Sequence, residues 1–253
     1  MAHQERPPRF YAEDLSPEAV RLSVGEAHHA LHVLRLPVGA EAELFDGRGG
    51  AARGRIAAAQ HSAVDVRIEA RQPVVPRHGP VVHVAFAVPK GRRLDWLLEK
   101  ATELAAASLR PIVFQRSVAG VGTGRLSPTK RGRWLAHCLA AAKQSRLNWL
   151  PSLEDPLLLS DFLVHELTGP AGYIGVVGVV NGGSHPIREI LARAPGGREV
   201  CLLIGPEGGL ARAELADIVE AGFTPARLGR TTLRVETAAI ALLAATMAVY
   251  GGD

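Results

Sequence analysis

The segment Cys201–Leu210, CLLIGPEGGL, joins four apolar residues to a turn with three glycines, one proline and one carboxylate. Glycine leaves backbone groups accessible and allows positive φ, and proline fixes one φ and removes one N–H donor. A buried parallel strand that ends in this way brings its backbone to the crevice where α/β proteins bind ligands. The pattern therefore indicates a binding site lined by backbone, with a tight strand-to-helix turn as the alternative.

The ligand class follows from what the same segment lacks. It has neither the Gly-Lys-Ser/Thr ending of a P-loop nor a G-x-G-x-x-G dinucleotide fingerprint, so a bound phosphate is disfavoured. Exposed amides and carbonyls suit the hydrogen-bonding edge of a purine or the polar end of a cofactor. The helix after it begins with only half of a capping box, because Ala211 precedes Glu214 where a Ser, Thr or Asp would serve as N-cap.

A second cluster lies at residues 227–251, RLGRTTLRVETAAIALLAATMAVYG. It opens as a basic, polar loop and enters a helix that is apolar nearly all round, which is typical of a helix buried in a core or against a second subunit. Arg234 and Glu236 stand where this helix starts, and buried unpaired charges are costly. They are candidate functional residues, and a purely structural arrangement of Arg234 and Glu236 at the start of the helix is the alternative.

The elements that must position these clusters change character along the chain. Residues 1–74 contain short alternating strands and one short helix near EAHHALHVLR, which indicates a small barrel. The segment 72–80, QPVVPRHGP, is a predicted linker. Residues 80–253 alternate apolar strands with helices, which predicts an α/β domain with a mostly parallel sheet. Its strands are predicted at 81–88, 111–114, 173–180 and 201–204, and its helices at 94–107, 128–145 and 156–167.

Composition limits the function classes. The chain has 253 residues, of which 47% are hydrophobic and 21% charged. It has no apolar run near the roughly 20 residues that span a bilayer. Its polar start, MAHQERPPRF, has no signal-peptide core, so we expect a cytoplasmic protein that is not bound to a membrane. The two cysteines, Cys138 and Cys201, have apolar neighbours and are expected to be buried thiols rather than disulfide partners or metal ligands.

Charge is distributed unevenly. The formal net charge is +4, yet residues 104–153 contain eight Lys or Arg and no Asp or Glu. Such a stretch is typical of a surface that binds a polyanion such as RNA, and a solvated basic face is the alternative. His28, His29 and His32 are helical neighbours without further ligands, so we expect no metal site. GVGTG at 120–124 fits a mobile basic loop better than a cofactor fingerprint.

Together these motifs resemble the RsmE family of 16S ribosomal RNA uracil-N3 methyltransferases, in the SPOUT superfamily. The resemblance rests on LLIGPEGGL followed by LGRTTLRVETAA, and on segments in the expected order upstream. Those segments are HALHVLR (29–35), LFDG (44–47), EKATEL (99–104) and KQSRLNWLP (143–151). Three positions and one segment depart from the family pattern. Ala105 replaces a Gly, Lys143 a Glu and Ala211 a Ser, and VVNGGSHP (179–186) matches the first cofactor loop only loosely.

The resemblance implies a PUA-like RNA-binding β-barrel at 1–74 and a SPOUT α/β domain with a C-terminal trefoil knot at 80–253. It also implies S-adenosylmethionine (SAM) as cofactor, 16S RNA or the small ribosomal subunit as partner, and a homodimer with the last helix at its interface. The residues expected to bind SAM are Val180, Asn181, Ile204, Gly205, Pro206, Glu207, Gly208, Gly209, Leu228, Gly229, Leu233, Arg234, Glu236 and Thr237.

Methyl transfer to uracil N3 needs positioning and removal of the N3 proton. Glu236 is the candidate proton acceptor or orienter, and Arg234 the candidate for stabilising charge on uracil O2 or O4. Shaping the cofactor loop is the alternative role for both. The expected RNA contacts are His29, Arg35, Lys90, Arg92, Arg93, Arg116, Arg125 and Arg146.

Three other functions remain to be compared with this one. They are a non-catalytic RNA-binding assembly factor, a SPOUT enzyme acting on another RNA such as a transfer RNA ribose, and a nucleotide-dependent oxidoreductase. The absent dinucleotide fingerprint disfavours the oxidoreductase, and the intact GPEGG and LRVETA motifs disfavour the assembly factor.

Overall fold

The structure, a computed structural model, describes residues 6–60, 62–77, 79–117, 122–165, 173–180, 183–193 and 199–250. It divides into two compact units, Met1–Arg77 with Ala142–Leu150, and His78–Ala141 with Pro151–Asp253. This division lies inside the predicted linker. The predicted domains, 1–74 and 80–253, differ from these units chiefly because the segment Ala142–Leu150 groups with the N-terminal unit.

The N-terminal unit is built on a five-stranded sheet with the order β1-β3-β4-β5-β2. Helix α1 (Val24–His28) runs directly into a π-helical turn at His29–Val33, as expected for a short helix in this region. The strands are β1 (Arg9–Tyr11), β2 (Ala19–Arg21), β3 (Glu41–Phe45), β4 (Ala51–Gln60) and β5 (Ala63–Gln72).

Alternation and turn chemistry explain this sheet. Along β5, Val64 and Val66 are buried whereas Arg67 is exposed, so the period-2 pattern places one face on the core. A hairpin joins the antiparallel strands β3 and β4. Asp46 stabilises its turn by accepting hydrogen bonds from the amides of Arg48 (2.7 Å) and Gly50 (2.9 Å).

Backbone hydrogen bonds, one indole and the ion pairs Lys143–Glu26 and Arg146–Glu43 join the segment Ala142–Leu150 to the rest of the N-terminal unit. The Gly49 amide donates to the Asn148 carbonyl, and the Leu150 amide donates to the Gly47 carbonyl, both at 3.0 Å. Trp149 Nε1 donates to the Val75 carbonyl at 2.9 Å. The KQSRLNWLP motif therefore has a structural role within this unit.

The C-terminal unit contains an eight-stranded sheet whose described pairings are all parallel, which confirms the predicted α/β class. The order is β11-β13-β10-β12-β6-β7-β8, and β9 pairs with β7. Its strands are β6 (Val82–Ala87), β7 (Ser108–Val113), β8 (Ser152–Leu153), β9 (Leu157–Leu158), β10 (Ile174–Gly178), β11 (His185–Pro186), β12 (Val200–Ile204) and β13 (Thr224–Arg227).

Within the described residues, six helices accompany this sheet. They are α2 (Arg92–Glu103), α3 (Pro128–Ser145), α4 (Leu159–His165), α5 (Ile187–Arg193), α6 (Arg212–Glu220) and α7 (Val235–Tyr250). Helix α7 packs against α2, α5, β6 and β12, with Leu242 and Leu243 buried. In the part of the chain that the structure describes, no helix is both long and apolar enough to cross a membrane.

Two predicted helices differ from the observed ones. Helix α2 ends at Glu103 rather than at residue 107, because Ala105 adopts a left-handed conformation with φ +57°. The Ala105 amide then donates to the Thr102 carbonyl and the Ala106 amide to the Ala101 carbonyl, which is the Schellman pattern. Helix α4 begins later than predicted, at Leu159, since Leu157–Leu158 pairs with β7 instead.

Candidate functional site

A cavity of about 370 Å³ lies where β10 and β12 leave the sheet. These strands are parallel neighbours, with Gly178 paired to Ile204, so their carboxyl ends open at the same edge, where α/β proteins bind ligands. Three segments supply most of the lining: residues 178–180 at the end of β10, residues 204–210 at the end of β12, and residues of the stretch 226–235 that leads into α7. Leu215 of α6 and Ala238 and Leu242 of α7 complete it.

Nine of the residues expected to bind the cofactor line this cavity: Val180, Ile204, Gly205, Pro206, Glu207, Gly209, Leu228, Gly229 and Leu233. Gly208, Arg234, Glu236 and Thr237 are not among the lining residues, and Asn181 lies outside the described residues. Sequence reasoning missed Gly178, Val179, Leu210, Leu215, Ala226, Thr231, Thr232, Val235, Ala238 and Leu242. Of these, Thr231 and Thr232 lie in the basic, polar loop that opens the cluster at residues 227–251, so their position in that motif could have identified them.

The GPEGG loop needs its glycines for different reasons. A Cβ on Gly205 would lie 2.8 Å from Leu210 Cδ2, so a larger residue there would have to displace the Leu210 side chain. Gly209 has φ +71° and donates its amide to the Pro206 carbonyl at 2.8 Å, which closes a turn. A Cβ on Gly209 would meet no atom within 4 Å, so its backbone borders open space at the cavity wall. The segment therefore forms a tight turn and at the same time leaves its backbone accessible at the cavity wall.

The half capping box of α6 is confirmed. Glu214 Oε2 accepts a hydrogen bond from the Ala211 amide at 2.8 Å, whereas Ala211 has no side-chain oxygen to return one. The other carboxylate oxygen, Oε1, accepts from the Gln115 amide at 2.6 Å. Glu214 thus joins the start of α6 to the turn that follows β7.

Arg234 and Glu236 have different environments. Arg234 is exposed just before α7, whereas the Glu236 side chain lies in the first turn of α7 with the residue 6% exposed. No ion pair between them occurs among the described residues. Glu236 Oε2 is buried and has no hydrogen-bond partner there, although the positive end of the α7 dipole favours a carboxylate at this position.

The acid-free basic stretch is extensively neutralised by carboxylates from other segments. This lowers the positive potential that the sequence alone suggested, because paired charges present a weaker field to solvent. The observed pairs are Arg110–Glu154 (3.3 Å), Arg131–Asp155 (2.6 Å), Arg133–Asp95 (3.4 Å), Lys143–Glu26 (2.8 Å) and Arg146–Glu43 (2.7 Å).

The residues expected to bind RNA fall into separate groups. Lys90 and Arg92 are exposed and line a second cavity of about 480 Å³ at the start of α2, together with Lys130 and Arg133. Arg125 is also exposed. Arg93 and Arg116, by contrast, contact the GPEGG loop at Glu207 and Gly208.

The remaining RNA candidates lie in the N-terminal unit. His29 is half-buried in the π-helical turn, with its ring edge-on to Phe10, and Arg35 is exposed with φ +53°. Arg146 is half-buried and ion-paired. Among the described residues, no group of three or more His, Cys, Asp or Glu side chains could hold a metal ion.

Comparison with known proteins identifies the family. A model of the RNA methyltransferase domain matches residues 77–247, and a model of the RNA methyltransferase PUA domain matches residues 22–69. The chain is 34% identical over 240 residues to ribosomal RNA small subunit methyltransferase E of Mycobacterium bovis, covering 93% of this chain and 89% of that one. The chain belongs to the ribosomal RNA small subunit methyltransferase E family.

Solved structures agree with this membership. A Legionella pneumophila chain in complex with SAM has a TM-score of 0.84 and 29% identity, covering 96% of this chain and 98% of that one. Ribosomal RNA small subunit methyltransferase E from Neisseria gonorrhoeae, bound to SAM, has a TM-score of 0.82 and 24% identity over 97% of this chain and 98% of that one. At that identity the second likeness shows the fold alone.

Proposed function

We propose that this family member transfers a methyl group from SAM to N3 of a uridine in 16S ribosomal RNA. The observation that carries the proposal is the cavity at the carboxyl edge of the parallel sheet. Much of its wall comes from the two motifs, GPEGG and LGRTTLRVETA, on which the family resemblance rests. The relatives named above are ribosomal RNA small subunit methyltransferases, and SAM is bound in the Legionella structure.

The cavity fits a ligand of this kind. Its volume of about 370 Å³ lies within the roughly 300–1,000 Å³ of small-molecule sites. Ile204, Leu228 and Leu242 supply apolar walls. At Gly209 and Gly229 a Cβ would meet no atom within 4 Å, so a ligand can approach the backbone. When bound there, SAM supplies an electrophilic methyl group on a sulfonium.

The chain's own residues would have to hold the uracil and remove its N3 proton. We assign to Arg234 the stabilisation of negative charge on uracil O2 or O4, because it is exposed at the end of the loop that lines the cavity. We assign Glu236 to orientation or proton acceptance. Its burial supports orientation more strongly, since a proton acceptor must come within hydrogen-bond reach of N3.

RNA would be held by exposed cations outside the SAM cavity. Lys90, Arg92 and Arg125 are suited to backbone phosphates, and His29 and Arg35 would add contacts from the PUA-type unit. The uracil must leave any stack for its N3 edge to be reached.

The proposal also includes a trefoil knot, a homodimer and a cytoplasmic location. A trefoil knot in the C-terminal unit is supported by the convergence of residues 178–180, 204–210 and 226–235 on one cavity. A homodimer through α7 is supported by the apolar character of that helix and by Val249, which is 43% exposed. We also propose a cytoplasmic location, in keeping with an RNA substrate in the small ribosomal subunit.

The deciding experiment has two steps. Calorimetric titration with SAM first tests cofactor binding. Methylation of naked 16S RNA is then compared with methylation of assembled small subunits, and the product is mapped by mass spectrometry. We expect N3-methyluridine at one position; a methyl group on a ribose, or SAM binding without transfer to either substrate, would contradict the proposal.

A further inference from the structure

The GPEGG loop has two neighbouring loops that also follow parallel strands. Strand β6 pairs with β12 on one side and with β7 on the other. The carboxyl ends of the three strands therefore lie along one edge of the sheet. The loop after β6 leads into Arg93 on α2, and the turn after β7 contains Gln115 and Arg116.

Arg93 reaches from the β6 side to the GPEGG loop. Its Nη1 lies 2.8 Å from Glu207 Oε1, and both side chains are about one-third exposed, at 32% and 33%. Its Nε also donates to the Lys90 carbonyl at 3.3 Å. The guanidinium group is thus held at two points, one of them on a residue that lines the proposed SAM cavity.

Arg116 reaches the same loop from the β7 side. Its Nη1 donates to the Gly208 carbonyl at 3.1 Å. A Cβ on Gly208 would lie only 3.4 Å from Arg116 Cβ, so the two residues pack closely. Through Glu214, the adjacent Gln115 amide is linked to the Ala211 amide. The loop is therefore fastened at Glu207, at Gly208 and at its exit into α6.

We propose that Arg93 and Arg116 are positioning residues that hold the GPEGG loop in its ligand-binding shape and so determine the affinity for SAM. The dependence on SAM rests on the proposed function, whereas the fastening of the loop does not. Both residues were expected from sequence to contact RNA, but the structure directs a guanidinium N–H of each to the loop. Because the ion pair is partly exposed, each contact is expected to change affinity by about two- to fivefold.

Hydrogen–deuterium exchange of the ligand-free protein tests the fastening directly. Arg93→Gln and Arg116→Gln should each raise the exchange rate of amides in residues 205–211 by about two- to fivefold, because a partly exposed contact of this kind contributes only a small free energy. Residues 200–204 in β12 should be unaffected. Arg212→Gln is the matched control, because it removes the same charge beside the loop from an exposed residue. Exchange in both variants equal to that of wild type would overturn the proposal.

Calorimetry with SAM and filter binding with a 16S RNA transcript test the consequence. Arg93→Gln and Glu207→Gln should each weaken SAM binding about two- to fivefold, with no further loss in the double variant, because both remove one contact. RNA affinity should stay within about twofold. Weaker RNA binding with unchanged SAM binding would overturn the proposal. If wild type binds no SAM, the proposed function fails, while the exchange rates still decide whether the loop is fastened.

Discussion

Lys143 Nζ lies 2.8 Å from Glu26 Oε1 within the N-terminal unit, where the two side chains are only 21% and 10% exposed. The second carboxylate oxygen, Glu26 Oε2, is buried and has no hydrogen-bond partner among the described residues. Lys143 is one of the departures from the family pattern, which has Glu at this position. The ion pair gives this departure a structural reason, since a carboxylate at residue 143 would face the buried carboxylate of Glu26.

Replacing Lys143 with Met should therefore destabilise the protein. We expect a loss of about 1–3 kcal/mol in the free energy of unfolding, because the charge of Glu26 would be left largely buried and unpaired. In the double variant Lys143→Met/Glu26→Gln, part of this loss should be recovered. Urea unfolding of wild type, both single variants and the double variant measures the coupling. Strictly additive losses would show that the ion pair contributes nothing.

The sequence predicted those parts of the fold that depend on local patterns. Alternation within residues 1–74 predicted short strands, of which β5 is one, and a helix was predicted at 128–145, the observed bounds of α3. The glycines and proline of GPEGG indicated a backbone-lined site, which the cavity matches. These signals are readable because periodicity and turn chemistry act between residues close in the chain.

The sequence could not predict relationships between distant segments. Nothing local shows that Arg146 pairs with Glu43, or that Arg93 pairs with Glu207. For the same reason, the acid-free stretch suggested a stronger positive surface than the structure has. The burial of Glu236 is likewise set by the packing of α7 and not by its neighbours in the chain.

Ala105, another departure from the family pattern, can be tested by restoring glycine. Its φ of +57° is unfavourable for a residue with a Cβ by about 1–2 kcal/mol, and glycine is the usual residue at this position of a Schellman motif. Ala105→Gly should raise the free energy of unfolding by about 0.5–1 kcal/mol, after the greater entropy of glycine in the unfolded chain is subtracted. Ala107→Gly, outside the left-handed region, is the control and should destabilise. No gain for Ala105→Gly in thermal or urea unfolding would refute this account.

Cys138 should make stability fall at alkaline pH. Burial raises the pKa of its thiol from the ordinary 9.0 to about 11. Between these values the unfolded chain loses the proton while the folded chain keeps it, so unfolding is favoured as pH rises. The difference in the free energy of unfolding between wild type and Cys138→Ala should be constant below pH 9. Above pH 9 it should decline by up to about 1.4 kcal/mol per pH unit. Urea unfolding of both proteins between pH 8 and 10.5 measures it, and a constant difference would contradict the prediction.

The most specific prediction about the reaction concerns Glu236. Its carboxylate is buried at the start of α7, directly after the loop that lines the cavity, and one oxygen has no partner among the described residues. Gln has nearly the same shape but cannot accept the N3 proton. If Glu236 accepts that proton, Glu236→Gln should lower turnover by about 10²-fold or more, with SAM affinity within about twofold. If it only orients the uracil or Arg234, the loss should be smaller and the pH dependence of turnover should keep its shape.

Single-turnover methylation across pH, with SAM affinity measured by calorimetry, separates these roles for Glu236. Glu220→Gln is the control, because it removes the same charge from an exposed residue at the end of α6, and it should leave both measurements unchanged. A Glu236→Gln enzyme with near-wild-type turnover and unchanged SAM affinity would exclude Glu236 from proton transfer. Arg234→Gln should in contrast lower turnover at every pH, because the charge it is proposed to stabilise develops on the uracil whichever group takes the proton.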